Sequence, residues 1–394
     1  MSFAVRTSHL KQEGAYQVLA RAQELEAKGR EIIHLEIGQP DFETFDNIRL
    51  AGMRAIAEGQ TRYTPPIGMK SLREQIAQDA GMRHGLQFHP DQVVVSPGAK
   101  PNLFFPVLAL IEPGDEVLYP DPGFPTYEAM IRVAGGIPIP VPLKEQNNFS
   151  FDLEAFHQLV NERTKLVILN SPSNPTGGVM PAADLEDIAE TARKLNFWVM
   201  SDEIYARVAY DHACVPSIAS LPGMMERTII VDGFSKTYAM TGWRLGYGIM
   251  PKELAQVVQL LLTHSVGCTA QFVQVAGIAA LSGPQEQVQA AVDKYQTRRD
   301  AIVDGLNAIP GVSCQRPQGA FYVFPNVKAF GIPSSELADL ILEKANVAVL
   351  PGSSFGKYGE GYLRLTYSNS IENIRRAVEQ IKAVLEKQAA AVLV

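Results

Sequence analysis

Cysteine is scarce in this sequence, and no cysteine pattern is present that would bind a metal or build a disulfide framework. The 394 residues include only Cys214, Cys268 and Cys314, which lie far apart along the chain. Zinc sites and small disulfide-rich domains both need closely spaced cysteines. We therefore expect no metal site, a reducing environment, and a fold held together by a hydrophobic core.

Long apolar segments and runs of basic residues are also missing. The N-terminal stretch MSFAVRTSHLKQEG lacks the apolar region of a signal peptide, and no window of about 18 apolar residues predicts a membrane span. The formal net charge is -7, and lysine and arginine are not clustered. We expect a cytoplasmic protein that binds neither membranes nor nucleic acids.

Short β-branched runs alternate with longer amphipathic segments over the central part of the chain. The apolar runs occupy residues 92–96, 115–120, 164–170, 197–203 and 228–234. This alternation predicts an α/β fold, in which a mainly parallel sheet carries helices on both faces. The segment 242–250 follows the last run too closely for a helical crossover, so we expect it to pair antiparallel. Between two of the runs, ADLEDIAETARKL has helical spacing, and Asp184 is positioned to cap that helix.

The sequence changes character near residues 282–287, where a long helical segment begins. Helical periodicity continues for more than about 20 residues, and short strands and two further helices follow. This pattern predicts a smaller α+β domain after the sheet. We predict an N-terminal arm and helix contributing to the small domain (1–45), a large domain (46–283) and a C-terminal small domain (284–394).

Chemically reactive side chains follow four of the predicted strands directly. The segments after these strands are PGAK, SPSNPTGG, DEIYAR and SKTYAMTGWR. Because ligands bind at the carboxyl ends of parallel strands, we expect an asparagine, a carboxylate, an amine and a guanidinium to meet there. The turn PGAK opens a helix and would hold a phosphate, with Arg244 and Ser235 adding charge and a hydrogen bond.

The amine and the carboxylate of this set indicate the type of cofactor. A partly desolvated lysine is a nucleophile for a carbonyl, so Lys236 is expected to form a Schiff base with pyridoxal phosphate. Asp202 would pair with the ring nitrogen of this cofactor and keep it protonated. Taken singly, a lysine is usually a solvated charge, and Asp202 next to Glu203 could simply cap a helix. The combination favours a cofactor site.

Other common catalytic motifs are absent from the sequence. The spacing GxxxxGK[ST] of a nucleotide-binding loop is not present, although GFSKT ends in a similar way. The hydrolase motif GxSxG is missing, and no GxGxxG opens a helix after a strand. A nucleoside triphosphatase, a serine hydrolase and a nicotinamide dehydrogenase are therefore disfavoured.

Seven segments, in order, resemble one enzyme family over nearly the whole chain. They are GQPDF (38–42), YTPPIG (63–68), SPGAK (96–100), NSPSNPTGG (170–178), SDEIY (201–205), FSKTYAMTGWRLGY (234–247) and YLRLTYS (362–368). The chain resembles the fold-type I pyridoxal-phosphate enzymes, specifically the class I/II aminotransferases of the aspartate and aromatic branch. The resemblance implies a mainly parallel seven-stranded sheet in a large cofactor-binding domain, with a smaller α+β domain.

The resemblance assigns five residues to the cofactor ring. Lys236 resembles the Schiff-base lysine, which also moves a proton from the substrate α-carbon, and Asp202 resembles the partner of the pyridine nitrogen. Asn174 and Tyr205 would donate hydrogen bonds to the ring hydroxyl group, and Phe124 would stack on the ring. Among these, the resemblance gives Lys236, Asp202 and Tyr205 catalytic roles.

The phosphate group is assigned to five further residues. Ala99 and Lys100 match family positions that bind phosphate through backbone N–H groups, and Ser235 and Arg244 match positions that bind it through side chains. Tyr63 matches a tyrosine that the partner subunit contributes. The resemblance therefore implies a homodimer with shared active sites.

The substrate is assigned to a separate group of residues. Arg364 resembles the arginine that binds the substrate α-carboxylate through two parallel hydrogen bonds, with Gly38 and Asn174 lining the same pocket. The resemblance also implies a cis peptide bond before Pro175.

The side-chain end of the pocket is expected to involve the N-terminal segment. Glu13, Ala15 and Tyr16 are expected to border it. An inward-pointing Glu13 would repel an acidic substrate. Aspartate, aromatic and branched-chain amino acids all stay open as the amino donor.

The reaction implied is a ping-pong transamination between an L-α-amino acid and a 2-oxo acid, for which 2-oxoglutarate is expected. Because one scaffold can carry out several reactions, β-elimination from a sulfur amino acid is the alternative on the same fold. A regulatory domain fused to a DNA-binding module is a second alternative, which the short segment before Gly14 disfavours.

Overall fold

The computed structural model describes residues 3–8, 10 and 12–392, and helices alternate with strands along most of this chain. The helices are α1 (Gly14–Glu26), α2 (Asp46–Ala57), α3 (Lys70–His84), α4 (Lys100–Leu110), α5 (Thr126–Ala134), α6 (Leu153–Leu159), α7 (Ala182–Leu195), α8 (Lys252–Thr263), α9 (Gln271–Ser282), α10 (Glu286–Asn307), α11 (Ser334–Ala345) and α12 (Ile371–Val392). The strands are β1 (Ile33–His34), β2 (Val93–Ser96), β3 (Glu116–Asp121), β4 (Ile137–Lys144), β5 (Ser150–Phe151), β6 (Thr164–Asn170), β7 (Trp198–Asp202), β8 (Thr228–Gly233), β9 (Gly246–Ile249), β10 (Tyr322–Val323), β11 (Val347–Ala348), β12 (Leu350–Pro351) and β13 (Leu363–Thr366). No helix within the described ranges combines the length and the apolar character needed to cross a membrane.

A central sheet has the strand order β2-β9-β8-β7-β6-β3-β4-β5. Strands β3, β4, β6, β7 and β8 pair in parallel, and β9 lies antiparallel between β2 and β8. Every residue of β2, β3, β8 and β9 is buried, as expected for strands covered by helices on both faces. The predicted α/β fold and the antiparallel placement of the segment 242–250 are confirmed.

The central sheet has eight strands, one more than the predicted seven. The additional strand β5 has two residues and pairs antiparallel with the end of β4, with Phe151 opposite Leu143. Strand β4 was not among the runs recognised in the sequence, because it has proline at three alternate positions, Pro138, Pro140 and Pro142. Proline is tolerated there because β4 lies near the sheet edge, where only its last two residues pair with β5.

Helix α7 shows how the covering helices are built. Its buried residues Leu185, Ile188, Ala189 and Ala192 recur at three- and four-residue intervals, so one face packs against the sheet. The predicted capping role of Asp184 is wrong. Helix α7 begins after the extended residue Pro181, and Asp184 lies in the first turn, where its carboxylate accepts a hydrogen bond from Ser150.

The C-terminal part of the chain forms a second group of elements. Strands β10, β13 and β12 make an antiparallel sheet, while β1 pairs in parallel with β11, with Ile33 opposite Val347. Helices α10, α11 and α12 enclose a separate cluster of buried residues that includes Ile302, Ile341 and Ile374. These contacts join the N-terminal segment to the C-terminal elements, and that they together form a small domain stays a prediction. The boundaries at residues 45 and 283 stay predictions.

Candidate active site

A cavity of about 860 Å³ lies at the carboxyl edge of the central sheet. It brings together eleven of the residues selected from the sequence. They are Gly38, Ala99, Lys100, Phe124, Asn174, Asp202, Tyr205, Ser235, Lys236, Arg244 and Arg364.

The sheet register explains why these residues meet. Asn170 and Asp202 are the last residues of β6 and β7 and lie opposite each other, while β8 ends at Gly233, just before Lys236. The peptide bond between Asn174 and Pro175 is cis, as the resemblance implied.

Lys236 is held at the centre of the cavity. Its Nζ donates a 2.6 Å hydrogen bond to the carbonyl oxygen of Gly38. Burial, followed by the nearby Arg364 and Arg244, lowers the pKa of the Lys236 ammonium to about 8, although Asp202 opposes this effect. At pH 7 roughly one tenth of such lysines carry a neutral, nucleophilic amine, far more than for an ordinary lysine. The predicted reactive amine is therefore in an environment that activates it.

Asp202 is a buried carboxylate with two hydrogen-bond donors. The Tyr127 hydroxyl donates to Oδ2 at 2.7 Å, and the backbone N–H of Ile204 donates to Oδ1 at 3.3 Å. Burial raises the pKa of Asp202 to about 6, while these two hydrogen bonds act in the opposite direction. Asp202 is therefore held in one orientation. A cationic group placed beside it would lower its pKa, in the same direction as the two hydrogen bonds.

The turn before α4 and the Arg244 side chain form a close-fitting cradle. A Cβ atom on Gly98, whose φ is +84°, would lie 2.2 Å from Arg244 Nη2. A Cβ on Gly246 would lie 2.3 Å from the backbone nitrogen of Ala99. Arg244 itself has a φ of 55°, a conformation that is uncommon outside glycine and is often found at functional sites. A guanidinium thus packs against the N-terminus of a helix, which is an arrangement suited to an anion.

Two buried tyrosines form one wall of the cavity. The hydroxyl groups of Tyr205 and Tyr322 are 2.7 Å apart, and burial raises the pKa of Tyr205 well above its ordinary value. Gly38 lies against this pair, because a Cβ at that position would be 2.0 Å from the Tyr322 hydroxyl. The glycine at position 38 therefore lets the chain pass close to both tyrosines.

Arg364 is a buried cation that forms no ion pair with a carboxylate of the described residues. Its Nη1 donates to Asn174 Oδ1 at 3.3 Å, and its Nη2 donates to the carbonyl oxygen of Glu36. Its Nε has no hydrogen-bond partner within the described chain. The ring of Tyr322 lies 4.6 Å from its guanidinium carbon. A buried guanidinium with a free donor is suited to bind a carboxylate ligand.

The N-terminal segment closes the other end of the cavity. Glu13, Ala15 and Tyr16 line it, as expected from the sequence, and α1 adds Leu19 and Gln23. The carboxylate of Glu13 contacts the ammonium of Lys100 in an ion pair. This pair contributes little net charge to the surface that would face a substrate side chain.

Tyr63 is the one selected residue that lies away from the cavity. Its side chain is 98% exposed. The chain on either side of it is held in place, because the N–H of Arg62 donates to Gln271 Oε1 and the N–H of Thr64 donates to Cys268 Sγ.

Several residues at the site were not selected from the sequence. Tyr127 and Tyr322 contact the selected groups directly, and His34 lines the far end of the cavity. Asn170 could have been found, because it ends a predicted strand just as Asp202 does. Tyr127 lies in the first turn of α5, three residues after Phe124, which precedes the helix, so helical spacing gave no signal for it.

Comparison with known proteins assigns the chain to a family. The family model for aminotransferase class I and II matches residues 30–381, and the chain belongs to this family. It is 40% identical to a probable aspartate/prephenate aminotransferase of Aquifex aeolicus, over 98% of each chain. The solved structure of the Thermus thermophilus aspartate aminotransferase with maleate is 36% identical, with a TM-score of 0.93 over 98% of this chain and 100% of that one. The aromatic aminotransferase of Pyrococcus horikoshii is 38% identical, with a TM-score of 0.89 over 94% and 99% of the two chains.

The family is pyridoxal-phosphate-dependent, and this chain is accordingly a fold-type I aminotransferase that uses this cofactor. The residues of the cavity fit the cofactor. The cradle of Gly98 and Arg244 suits a phosphate, buried Asp202 suits a protonated ring nitrogen, and Lys236 suits an aldehyde. Its substrates are amino acids and 2-oxo acids.

Proposed function

We propose that this enzyme transfers the amino group of an L-α-amino acid to 2-oxoglutarate in two successive half-reactions. The observation that supports this proposal best is that the amine of Lys236, with its lowered pKa, shares one cavity with Asp202 and with the free donor of Arg364. The names of the relatives favour aspartate or an aromatic amino acid as the donor.

We propose the following residues as the cofactor-binding set. Ala99 and Lys100, through their N–H groups, with Ser235 and Arg244 would hold the phosphate. The ring contacts would come from Phe124, Asn174, Asp202, Tyr205 and Lys236, all of which line the cavity. When bound, pyridoxal phosphate supplies an aldehyde carbon that takes up the amino group and a cationic ring that withdraws electrons.

The substrate would be bound and deprotonated by the chain's own groups. Arg364 would bind the α-carboxylate through its free donor, with Asn174 fixing the guanidinium and Gly38 bordering the pocket. The neutral Nζ of Lys236 would take the proton from the substrate α-carbon and deliver it to the former aldehyde carbon of the cofactor within the same half-reaction, and it would move a proton in the opposite direction in the second half-reaction. Asp202 would balance the positive charge of the ring, and the Tyr205 hydroxyl would orient it.

We also propose a homodimer with shared active sites and a cytoplasmic location. The exposed Tyr63 would complete the phosphate site of the partner subunit. Large apolar side chains on α2 and α8 are exposed as well, among them Leu50, Met53 and Leu260. Large apolar side chains at the surface are typical of protein interfaces. The segment 46–283 would be the large cofactor-binding domain.

The central test replaces the proposed catalytic amine. Lys236→Ala is expected to bind pyridoxal phosphate, because the phosphate and ring contacts remain, yet to lose roughly 10²–10⁴-fold or more of its transamination rate. Cofactor binding is measured by equilibrium dialysis, and transamination by the formation of 2-oxo acid from a panel of amino acids. Full activity of this variant would remove Lys236 from the proposed role.

β-Elimination is the reaction to distinguish from transamination on this scaffold. A lyase acting on a sulfur amino acid would release pyruvate and ammonia without a 2-oxo acid acceptor. We expect no such release from the native enzyme, and amino-group transfer that depends on 2-oxoglutarate. Release of ammonia in the absence of an acceptor, with no transfer in its presence, would favour the lyase.

A further inference from the structure

Two buried groups of opposite charge lie close to each other without being paired. Arg364 Nε is a donor with no acceptor, and Glu36 Oε2 is an acceptor with no donor, in each case among the described residues. The guanidinium of Arg364 touches the main chain of Glu36, because Nη2 donates to the Glu36 carbonyl oxygen. In a purely structural core, such groups would be expected to pair, since an unsatisfied buried donor or acceptor destabilises the fold.

A histidine holds the Glu36 side chain in its observed position. Glu36 is fully buried, and its Oε1 accepts a 2.7 Å hydrogen bond from His34 Nδ1. His34 ends β1, and Glu36 lies two residues further along in a bend, where its carboxylate reaches back to the imidazole ring. One carboxylate oxygen of Glu36 is thereby held by His34, while the other, Oε2, has no partner among the described residues.

The histidine is in turn fixed by the first helix. His34 Nε2 lies 3.1 Å from Glu26 Oε1 at the end of α1. The hydrogen bond to Glu36 raises the pKa of His34 to about 9, although burial opposes this effect. At neutral pH both ring nitrogens therefore carry a proton and donate, one to each carboxylate.

We propose that His34 is a positioning residue that keeps the Glu36 carboxylate away from Arg364, so that the guanidinium stays available to the carboxylate of the substrate. Without His34, rotation about the side-chain torsions of Glu36 brings its carboxylate to Arg364, where it competes with the substrate. A bidentate arginine–carboxylate pair is among the strongest side-chain contacts, which makes this competition effective. This inference rests on the proposed role of Arg364 as the carboxylate-binding group.

The test compares three variants of the holoenzyme. His34→Ala is expected to raise the KM for both substrates by about tenfold or more while kcat stays near the native value, because binding is lost and the chemistry is not. The double variant His34→Ala/Glu36→Gln removes the competing charge and is expected to restore the native KM. His34→Gln keeps a donor for Glu36 and is expected to remain close to the native enzyme.

A binding measurement complements the kinetics. The affinity of the holoenzyme for succinate, a carboxylate that carries no amino group, is measured by titration calorimetry. It is expected to fall in His34→Ala and to return to the native value in His34→Ala/Glu36→Gln. His157→Ala is the matched control, because His157 also pairs with a carboxylate, Asp187 at 2.8 Å, and does not line the cavity. It is expected to change neither KM nor succinate affinity.

The possible results separate this inference from the proposed function. An unchanged KM in His34→Ala, or no recovery in the double variant, overturns the role of His34. Native succinate affinity in Arg364→Gln instead overturns the proposed carboxylate site itself. If His34→Ala does not fold, His34→Leu, which preserves most of the ring volume and removes both nitrogens, is measured under the same criteria.

Discussion

The hydroxyl group of Tyr127 influences the ionisation of Asp202, the group proposed to face the cofactor ring. It donates to Asp202 at 2.7 Å and opposes the effect of burial, which raises the pKa of Asp202 to about 6. A hydrogen bond to a charged group contributes about 1.5–3 kcal/mol, and one pKa unit corresponds to about 1.36 kcal/mol. Tyr127→Phe is therefore expected to raise the pKa of Asp202 by roughly one to two units.

The consequence is visible in the pH dependence of the enzyme. A carboxylate with a higher pKa is protonated at a higher pH, so Tyr127→Phe is expected to lose activity earlier on acidification. The measurement is kcat/KM between pH 5 and 8 in the native enzyme and in Tyr127→Phe, because this range covers the pKa of Asp202. Tyr210→Phe removes another buried hydroxyl that does not line the cavity and is expected to leave the profile unchanged. An identical acid limb in Tyr127→Phe would contradict the argument.

Single residues of the site could be predicted where their chemistry and strand-end position coincide. Lys236 and Asp202 carry charges that a buried strand end does not need for stability, and both line the cavity. Arg364, the second residue of β13, was assigned only through the family resemblance, and it lines the same cavity. Tyr322 could not be selected in this way. Its contact with Tyr205 depends on how β10 packs beside the central sheet, and an aromatic residue in an apolar run is typical of any core.

Two helix starts meet at the ion pair between Glu13 and Lys100. Glu13 precedes α1 and Lys100 begins α4, so the pair joins the N-terminal segment to the cradle proposed to hold the phosphate. The second carboxylate of a dicarboxylic substrate can bind the Lys100 ammonium only if the ion pair with Glu13 is broken. Otherwise it lies beside the Glu13 carboxylate, which repels it. Partly exposed ion pairs contribute about 0.2–1 kcal/mol, so Glu13→Gln is expected to lower the KM for dicarboxylic substrates by up to about fivefold.

Glutamate, aspartate and uncharged amino acids provide the comparison for this prediction. The KM for uncharged donors is expected to change little in Glu13→Gln, since they do not use the ammonium of Lys100. Glu24→Gln removes the same charge from the exposed side of α1 and serves as the control. Equal effects on charged and uncharged donors would show that the pair has no part in selectivity.

Whole elements were predicted best where their pattern was regular. The runs that became β2, β6 and β8 are rich in β-branched residues, those that became β3 and β7 are short apolar runs, and α7 has clear helical spacing. Strand β4 breaks that rule, because its three prolines are tolerated only where most of one side of the strand is unpaired, next to the short edge strand β5, which is a property of the assembled sheet. Asp184 was misplaced for a related reason, since helix ends are set by local backbone geometry.

At the scale of the whole molecule, Tyr63 is the residue that links two subunits in the proposed dimer. Mixing Tyr63→Ala with Lys236→Ala chains is expected to restore activity that neither variant has alone, because each hybrid dimer contains one intact site. With random exchange, half of the dimers are hybrids, so about one quarter of the native activity is expected. The rate is measured after the two variants have been mixed and allowed to exchange subunits.

Subunit exchange has to be demonstrated separately in this experiment. Chains with different affinity tags, purified in succession, give the fraction of hybrid dimers. Hybrids that form and remain inactive would show that Tyr63 acts within its own chain or not at all.

Helix α1 supplies Tyr16, Leu19 and Gln23 to the cavity wall but none of the proposed catalytic groups. Directed evolution towards a new amino donor can therefore begin with a codon library confined to these three positions. Duplicated genes can diverge in the same way, because substitutions confined to α1 can change the amino donor while the catalytic groups stay the same.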